Sequence, residues 1–286
     1  MNVNRNYKDS VFTFLFNDPA VLRELYGAIA GVELASDIPV TINTLEGVLY
    51  RNLLNDISFL LGDKQVILVE HQSTINPNLP VRILMYIGWI YAKMMVGRNV
   101  YGRKKLKVPV PEFIVLYNGK EKYPDQEVMR LTDLYEGGVL GEKGSWGLEV
   151  EVKVYNINEG HNEGIVRRCE RLRGYSIFIG KEREFEAGGL GREDAIGEAV
   201  KWCIGEGVLR GFLEEHGSEV MNMLMAEWKL EDALVVEREE GREEGREEGL
   251  GMAARNLFTR GMKADWIAGA LNLPLDTVRQ YLEQGV

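Results

Sequence analysis

The chain has few cysteines and histidines, which narrows the chemistry open to it. Its two cysteines, Cys169 and Cys203, are far apart and do not form a Cys-x-x-Cys pair. This pattern predicts two reduced structural thiols in a cytoplasmic protein, and it disfavours a disulfide framework or a zinc site. The histidines, His71, His161 and His216, also lack the spacing of metal ligands.

A long uninterrupted apolar run is absent as well. The most apolar helical stretch, residues 79–96, contains Arg82 and Lys93, and the first ten residues are polar with mixed charges. We therefore expect no membrane span, no signal peptide and a cytoplasmic location. Neither a Gly-x-x-x-x-Gly-Lys-Ser/Thr phosphate loop nor a Gly-x-Ser-x-Gly nucleophile elbow is present.

The net charge of -10 disfavours a polyanionic ligand, but the charge is unevenly spread. Residues 237–249 are strongly acidic, whereas residues 97–109 carry only cations among their charged side chains: Arg98, Arg103, Lys104, Lys105 and Lys107. A second basic run lies within residues 165–175. Each run is either a contact for DNA phosphates or a solvated face, and net charge does not decide between them.

Apolar spacing predicts an α/β organisation for the first half of the chain. Residues 7–16 and the segment that ends at Gly31 have helical spacing, and residues 40–72 have the pattern of a β-hairpin that turns at residues 62–64. A helix over residues 79–96 and strands over residues 111–119 and 148–157 follow. This order predicts a mixed sheet flanked by helices.

The second half of the chain has helical patterns over residues 163–178, 193–215 and 218–228. Residues 237–249 then repeat Gly-Arg-Glu-Glu, which suits either a solvated helix or a flexible linker. A third option is a glycine stripe at which two helices approach closely.

The last segment, residues 256–284, has the spacing of a helix-turn-helix, with Gly261 and Asn272-Leu273-Pro274 between its helices. Its charge is nearly balanced, whereas a DNA-reading module is normally basic. A small packing or assembly unit is therefore preferred over a DNA reader.

The predicted hairpin ends in unusual polar residues. The apolar run of residues 66–69 leads directly into Glu70 and Gln72, and Asp56 lies on the partner strand. A three-residue turn would put Asp56 opposite Glu70, where two carboxylates repel unless a cation lies between them. A two-residue turn would shift the register by one and put Asp56 on the other face of the sheet, unless a bulge restored it. Two carboxylates and a backbone carbonyl suit Mg²⁺, although a solvated rim is the more common meaning of such residues.

Asp56 followed by Glu70-x-Gln72 at the end of an apolar strand resembles the PD-(D/E)XK nuclease superfamily, with Gln72 at the usual lysine position. The stretches NDISF, VEHQST, LPVRILMYIGWIY, FIVLYNG, VYNINEGHNEG and RLRGYSIFI resemble, more narrowly, the bacterial Rpn-like group of recombination-promoting nucleases and transposase-like proteins. The resemblance covers most of the chain. It implies a restriction-endonuclease-like mixed sheet with a helical C-terminal extension and Mg²⁺-dependent cleavage of DNA.

The resemblance also implies roles for individual residues. Asp56 and Glu70 would be metal ligands together with the carbonyl of His71, and Asp9 is an additional candidate on the first helix. Gln72 would orient the attacking water, although it cannot supply the charge of a lysine. Arg82 and Tyr86, four residues apart on the helix after the hairpin, would either reach a phosphate or pack the helix against the sheet.

We therefore expect a nuclease-like core over residues 1–180, a helical extension over residues 181–236, the repeat over residues 237–249 and a helix-turn-helix-like unit over residues 250–286. The expected activity is that of a Mg²⁺-dependent DNA endonuclease, with Mn²⁺ as a substitute metal, linked to recombination or a mobile element. The alternative is a degenerate member that binds DNA or acts in assembly. DNA is the expected partner, with homo-oligomerisation through the C-terminal helices.

Overall fold

The structure is a computed structural model that describes residues 10–44, 56–71, 76–136 and 147–283, with the backbone alone at positions 56, 68–71, 227, 228, 230–238, 240 and 244. Its helices are α1 (Val11–Phe16), α2 (Pro19–Ala30), α3 (Leu79–Met94), α4 (Glu163–Val166), α5 (Glu170–Ala187), α6 (Arg192–Glu206), α7 (Arg210–Thr259), α8 (Ala264–Leu271) and α9 (Leu275–Glu283). Its strands are β1 (Val40–Ile42), β2 (Asp56–Leu61), β3 (Lys64–His71), β4 (Val110–Tyr117), β5 (Gln126–Arg130) and β6 (Glu151–Asn156).

The described strands form one mixed sheet in the order β1-β2-β3-β4-β6-β5. Strands β1, β2 and β3 are antiparallel neighbours, β3, β4 and β6 run parallel, and β5 is antiparallel to β6. Parallel neighbours need a crossover connection, and α3 lies in the connection from β3 to β4. The predicted α/β class, with a mixed sheet and flanking helices, is confirmed.

Both faces of the sheet are covered by helices. On one face Ile67 and Val115 belong to a buried apolar cluster with Ile83 and other residues of α3. The alternate residues of β4, Ile114 and Leu116, are fully buried too, so the opposite face is also covered. There α2 contacts β4 through the Tyr26 hydroxyl, and α5 contacts the end of β6 through Ser176.

The first two helices begin where capping residues place them. Ser10 is extended and its hydroxyl accepts a hydrogen bond from the Thr13 N–H, so α1 begins at Val11. Residues 7–9 of the predicted first helix lie outside the described residues. Asp9, the additional metal-ligand candidate, is among them. Helix α2 ends as predicted at Gly31, whose φ of 71° suits a glycine.

Two longer predicted helices are divided in the structure. Cys169 has an extended backbone, so α4 and α5 replace the single helix predicted over residues 163–178. Gly207 has a φ of 78° and ends α6, which interrupts the helix predicted over residues 193–215. Strand β5 was not predicted, because it is largely exposed and has little apolar alternation.

Helix α7 is continuous from Arg210 to Thr259 and includes the Gly-Arg-Glu-Glu repeat, so the helical interpretation of that repeat is the one observed. The chain divides into two compact units, residues 1–225 and residues 226–286. The second unit has a small core of Ala254, Ile267, Ala268 and Val278, and its helices follow the predicted helix-turn-helix-like order. Among the described helices, none is both long and apolar enough to cross a membrane.

Candidate functional site

The β2–β3 hairpin decides the relation between the two predicted metal-binding carboxylates. Leu61 pairs with Lys64 across a two-residue turn of Gly62 and Asp63, and Gly62 has a φ of 58°. The three-residue turn that would place Asp56 opposite Glu70 is therefore wrong. Asp56 pairs with Val69, so the two acidic positions lie on neighbouring strands but are offset by one residue. This is the register expected from a two-residue turn, in which the Asp56 and Glu70 positions belong to opposite faces of the sheet.

The predicted site residues differ in how far the structure describes them. Asp56, Glu70 and His71 have backbone positions in β2 and β3, whereas Gln72 lies outside the described residues. Glu70 pairs with Leu116 and His71 with Tyr117, so this end of β3 lies beside the carboxyl end of β4. The hairpin therefore brings the Asp56 and Glu70 positions together at the backbone level, near the carboxyl edge of the parallel strands.

Arg82 and Tyr86 of α3 have different surroundings. Tyr86 is 3% exposed and belongs to the cluster between α3 and the sheet, which favours the packing role for this residue. Arg82 is half-buried, one turn before it on the same helix. The two residues therefore do not form a common exposed surface for a phosphate.

The predicted DNA-binding cations lie on the loop between α3 and β4, and all of them are exposed: Arg98, Arg103, Lys104, Lys105 and Lys107. Tyr101, in the middle of this loop, is 98% exposed. The loop leads into Val110, which pairs with Lys64 at the start of β3. Lys64 and Glu70 are six residues apart, or about 20 Å along the strand, so the basic loop joins the sheet at the end far from Glu70.

Two of the sequence stretches that carry the family resemblance, FIVLYNG and VYNINEGHNEG, come together at the carboxyl edge of β4 and β6. Gly119 follows β4, Asn156 ends β6, Asn158 and His161 lie in the next loop, and Arg183 comes from α5. These residues line a cleft of about 680 Å³. In parallel sheets this edge is where ligands usually bind, because the connecting loops leave a crevice there.

A hydrogen-bond network fixes the wall of the cleft. Asn158 Nδ2 donates to the Gly119 carbonyl at 3.1 Å and to Asn156 Oδ1 at 3.0 Å, while Asn156 Nδ2 donates to the Tyr123 carbonyl at 2.9 Å. Arg183 Nη1 donates to Asn158 Oδ1 at 2.9 Å and Arg183 Nη2 to the Asn118 carbonyl. The side-chain positions are therefore set by neutral amide and carbonyl groups.

His161 is held at the cleft by a carboxylate. Its Nδ1 lies 2.6 Å from Asp125 Oδ1, and the imidazole is partly exposed. When Nδ1 carries the proton and donates a hydrogen bond to Asp125, Nε2 keeps a lone pair and acts as an acceptor. From its sequence context His161 is an ordinary loop residue, because its partner Asp125 lies 36 positions away.

A buried carboxyl lies on α5 beside Arg183. Glu182 is 3% exposed, and its Oε1 has no hydrogen-bond partner in the described part of the chain. Burial, reinforced by the nearby Glu186 charge, raises the pKa of Glu182 to about 7. Glu182 therefore carries only part of a negative charge near neutral pH and does not fully neutralise its neighbour Arg183.

Among the described side chains, no group of three or more His, Cys, Asp or Glu residues could hold a metal ion. The Asp56 and Glu70 side chains are outside that set. No protein-family model, no curated protein and no solved structure matches the chain.

Arg183, which lines the cleft, is the residue that sequence reasoning missed. Its position in an α-helix rich in charged residues gave no signal, because its partners Asn118 and Asn158 are 65 and 25 positions away.

Proposed function

We propose that the protein is a metal-dependent DNA endonuclease with a restriction-endonuclease-like core, linked to recombination or a mobile element. The observation that carries this proposal is the β2–β3 hairpin, which puts the Asp56 and Glu70 positions on paired strands beside the carboxyl edge of β4. The resemblance of residues around both positions to the PD-(D/E)XK superfamily supports the same activity.

The donor chemistry of the hairpin end fits Mg²⁺. Asp56 and Glu70 would supply carboxylate oxygens and His71 a backbone carbonyl, and hard oxygen ligands of this kind are what Mg²⁺ prefers. The bound ion would lower the pKa of a coordinated water and neutralise phosphate charge. The one-residue offset between Asp56 and Glu70 is the feature that this assignment must accommodate.

Protein side chains would supply the remaining functions, which are positioning of the water and binding of DNA. Gln72 would position a water molecule through its side-chain amide, without supplying positive charge. The exposed cations of residues 98–107 would bind DNA phosphates at the opposite end of the sheet, about 20 Å from Glu70, which corresponds to about six base pairs of duplex. DNA would then extend along the strand direction.

The test is the substitution Glu70→Gln in the full chain. Without a cation, carboxylates at positions 56 and 70 repel, and Mg²⁺ that binds only the folded state stabilises it by mass action. We expect Mg²⁺ to raise the Tm of the wild type but not that of Glu70→Gln. We expect nicking of supercoiled DNA to fall at least about 100-fold, with DNA binding retained.

Glu33→Gln, at an exposed position, is the matched control and should keep both the Mg²⁺ response and the nicking. Gln72→Lys should keep or raise the nicking rate if the site works as in its lysine-bearing relatives. Equal Mg²⁺ responses in wild type and Glu70→Gln, with nicking unaffected, would eliminate the metal site.

A DNA-binding or assembly protein without cleavage is the second candidate. The register offset between the two acidic positions favours it, because directly opposed carboxylates would suit a shared metal better. Its signature in the same experiment is DNA binding without Mg²⁺-dependent nicking in any variant.

A further inference from the structure

The cleft at the carboxyl edge of β4 and β6 contains a positive charge held in an unusual way. Arg183 Nη1 also approaches Asn118 Oδ1 at 3.4 Å and the Gly119 carbonyl at 3.5 Å, in addition to its contacts with Asn158 and the Asn118 carbonyl. All of these acceptors are neutral. In the described part of the chain, Arg183 makes no ion pair with a carboxylate.

Neutral acceptors fix a guanidinium without cancelling its charge. A carboxylate partner would do both, and the Arg183 group would then have little electrostatic attraction left for a ligand. The planar group has five N–H donors, and the contacts of Arg183 leave Nε and one proton of Nη2 without a described acceptor. Arg183 is therefore a pre-organised donor for an anion in the cleft.

The other charged side chains that line the cleft differ in whether they form ion pairs. Lys120 is paired with Glu186 at 2.6 Å, and Glu186 also contacts Arg192 at 3.4 Å. Lys122 is exposed and has no ion pair within the described residues. Glu121 is the other carboxylate of the lining. An entering anion therefore meets one fixed cation, Arg183, and one exposed cation without a described ion pair, Lys122, beside the Glu121 carboxylate.

We infer that this cleft binds a phosphate group of a nucleic acid strand, with Arg183 as the fixed donor and Lys122 as the exposed one. Gly119 follows β4, which is the direct neighbour of β3, and β6 is one strand further away. Neighbouring strands lie about 4.8 Å apart, so the cleft begins about 5–10 Å from the carboxyl end of β3, measured across the strands. The inference rests on the proposed function, since it takes the strand that enters the Glu70 edge as the ligand.

The test measures binding without cleavage. The full chain in EDTA is titrated against a fluorescein-labelled single-stranded 12-mer between 50 and 200 mM salt (about the range in which phosphate contacts are resolved), and the slope of log K against log salt is recorded. For Lys122→Gln we expect an affinity about fivefold lower near 0.1 M salt and a slope smaller by about 0.7, which is the loss of one phosphate contact to a single strand.

Arg183→Lys keeps the charge but loses the fixed guanidinium, so the affinity should also fall, with thermal unfolding used to check the fold. The matched control is Lys201→Gln, the same charge change at an exposed position of α6 that contacts Glu198. This control should retain the wild-type slope. If Lys122→Gln and Arg183→Lys both keep the wild-type affinity and slope, the cleft does not bind phosphate.

Competitors identify the source of the phosphate. If a nucleic acid strand is the ligand, inorganic phosphate or a mononucleotide, each added at the same concentration, should displace the labelled 12-mer only weakly. If a mononucleotide displaces the labelled 12-mer as effectively as the unlabelled 12-mer does, a strand is rejected as the ligand and a free nucleotide takes its place. These measurements need no Mg²⁺, so the two proposals can fail separately. Nicking and a Mg²⁺ response that Glu70→Gln leaves unaffected, together with an intact dependence of binding on Lys122, would reject the metal-dependent nuclease and keep the cleft.

Discussion

Gly119 shows how one small residue shapes the cleft. A Cβ atom built at this position would lie 2.4 Å from the Tyr117 hydroxyl and 2.5 Å from its ring, and Tyr117 is fully buried. The Tyr117 hydroxyl donates to the Glu121 carbonyl at 2.8 Å, so the ring cannot easily move aside. The sequence interpretation of Asn118-Gly119 as the end of a strand is correct, but close packing is the reason for the glycine.

Gly119→Ala should therefore lower the free energy of unfolding by about 1–3 kcal/mol, which is typical of overpacking in a core. Urea unfolding of the full chain measures it. The control is Gly88→Ala in α3, where an added Cβ meets no atom within 4 Å and should stabilise the helix by up to about 1 kcal/mol. Equal stabilities of Gly119→Ala and wild type would show that Tyr117 relaxes freely.

At the scale of elements, a polar cluster braces the amino-terminal end of the parallel strands. Glu112 of β4 accepts hydrogen bonds from Tyr26 at 2.5 Å, Lys153 at 2.9 Å and Lys64 at 3.1 Å. Burial raises the pKa of Glu112, but hydrogen bonds from these three residues outweigh it and lower the pKa to about 2. The charged form therefore ties α2, β3, β4 and β6 together.

Replacing this carboxylate should cost stability in a pH-dependent way. Because the pKa of Glu112 is lowered on folding, its contribution is present above about pH 4.5 and is lost as the pH falls toward 2. Glu112→Gln should lower the free energy of unfolding by about 1–3 kcal/mol at pH 7, and the difference should shrink at acidic pH. Urea unfolding at pH 7, 5, 4 and 3 measures it, and a difference independent of pH would contradict the charged brace.

The second prediction at this scale concerns the basic loop between α3 and β4. Lys104 and Lys105 are exposed, so neutralising both should weaken DNA binding equally for all sequences and reduce the magnitude of the salt slope by about 1.8 for duplex DNA if both contact phosphates. A filter-binding or anisotropy titration at several salt concentrations measures this slope. The double substitution Lys93→Gln and Lys201→Gln, also at exposed positions, is the control. An unchanged slope would make the loop a solvated surface.

At the scale of the whole molecule, the division into two units predicts what can be removed. Leu213, Val220 and Leu224, at the start of α7, are buried, and all three precede residue 226. A chain that ends at residue 236 keeps them and should unfold cooperatively with a Tm close to that of the full chain.

A shorter chain that ends at residue 207 is the control for this truncation. It lacks all three buried side chains, each of which stabilises by about 1.5–3 kcal/mol, so its Tm should be clearly lower. Thermal unfolding followed by circular dichroism compares the chains. Insolubility or non-cooperative unfolding of the chain that ends at residue 236 would place the C-terminal segment within the core.

The sequence by itself determined which segments are strands and which are helices where the periodicity is strong. The apolar run of residues 66–69, the helical spacing after Leu79 and the strand that precedes Asn118 each carry their pattern locally, so the mixed sheet with flanking helices could be predicted. Capping by Asp18 and Gly31 is also a local signal. Exposed β5 and the continuity of α7 lacked such a signal and were missed.

Only the tertiary structure decided the relations between distant residues. Because the turn at Gly62 has two residues, Asp56 pairs with Val69 and not with Glu70. The apolar pattern at the strand end does not distinguish these two registers, which differ by one residue. The distance between the basic loop and Glu70 follows from strand direction. The pairing of Arg183 with Asn118 and of His161 with Asp125 joins residues dozens of positions apart, and hydrogen bonds of this kind form only when folding brings the donor and acceptor groups into contact.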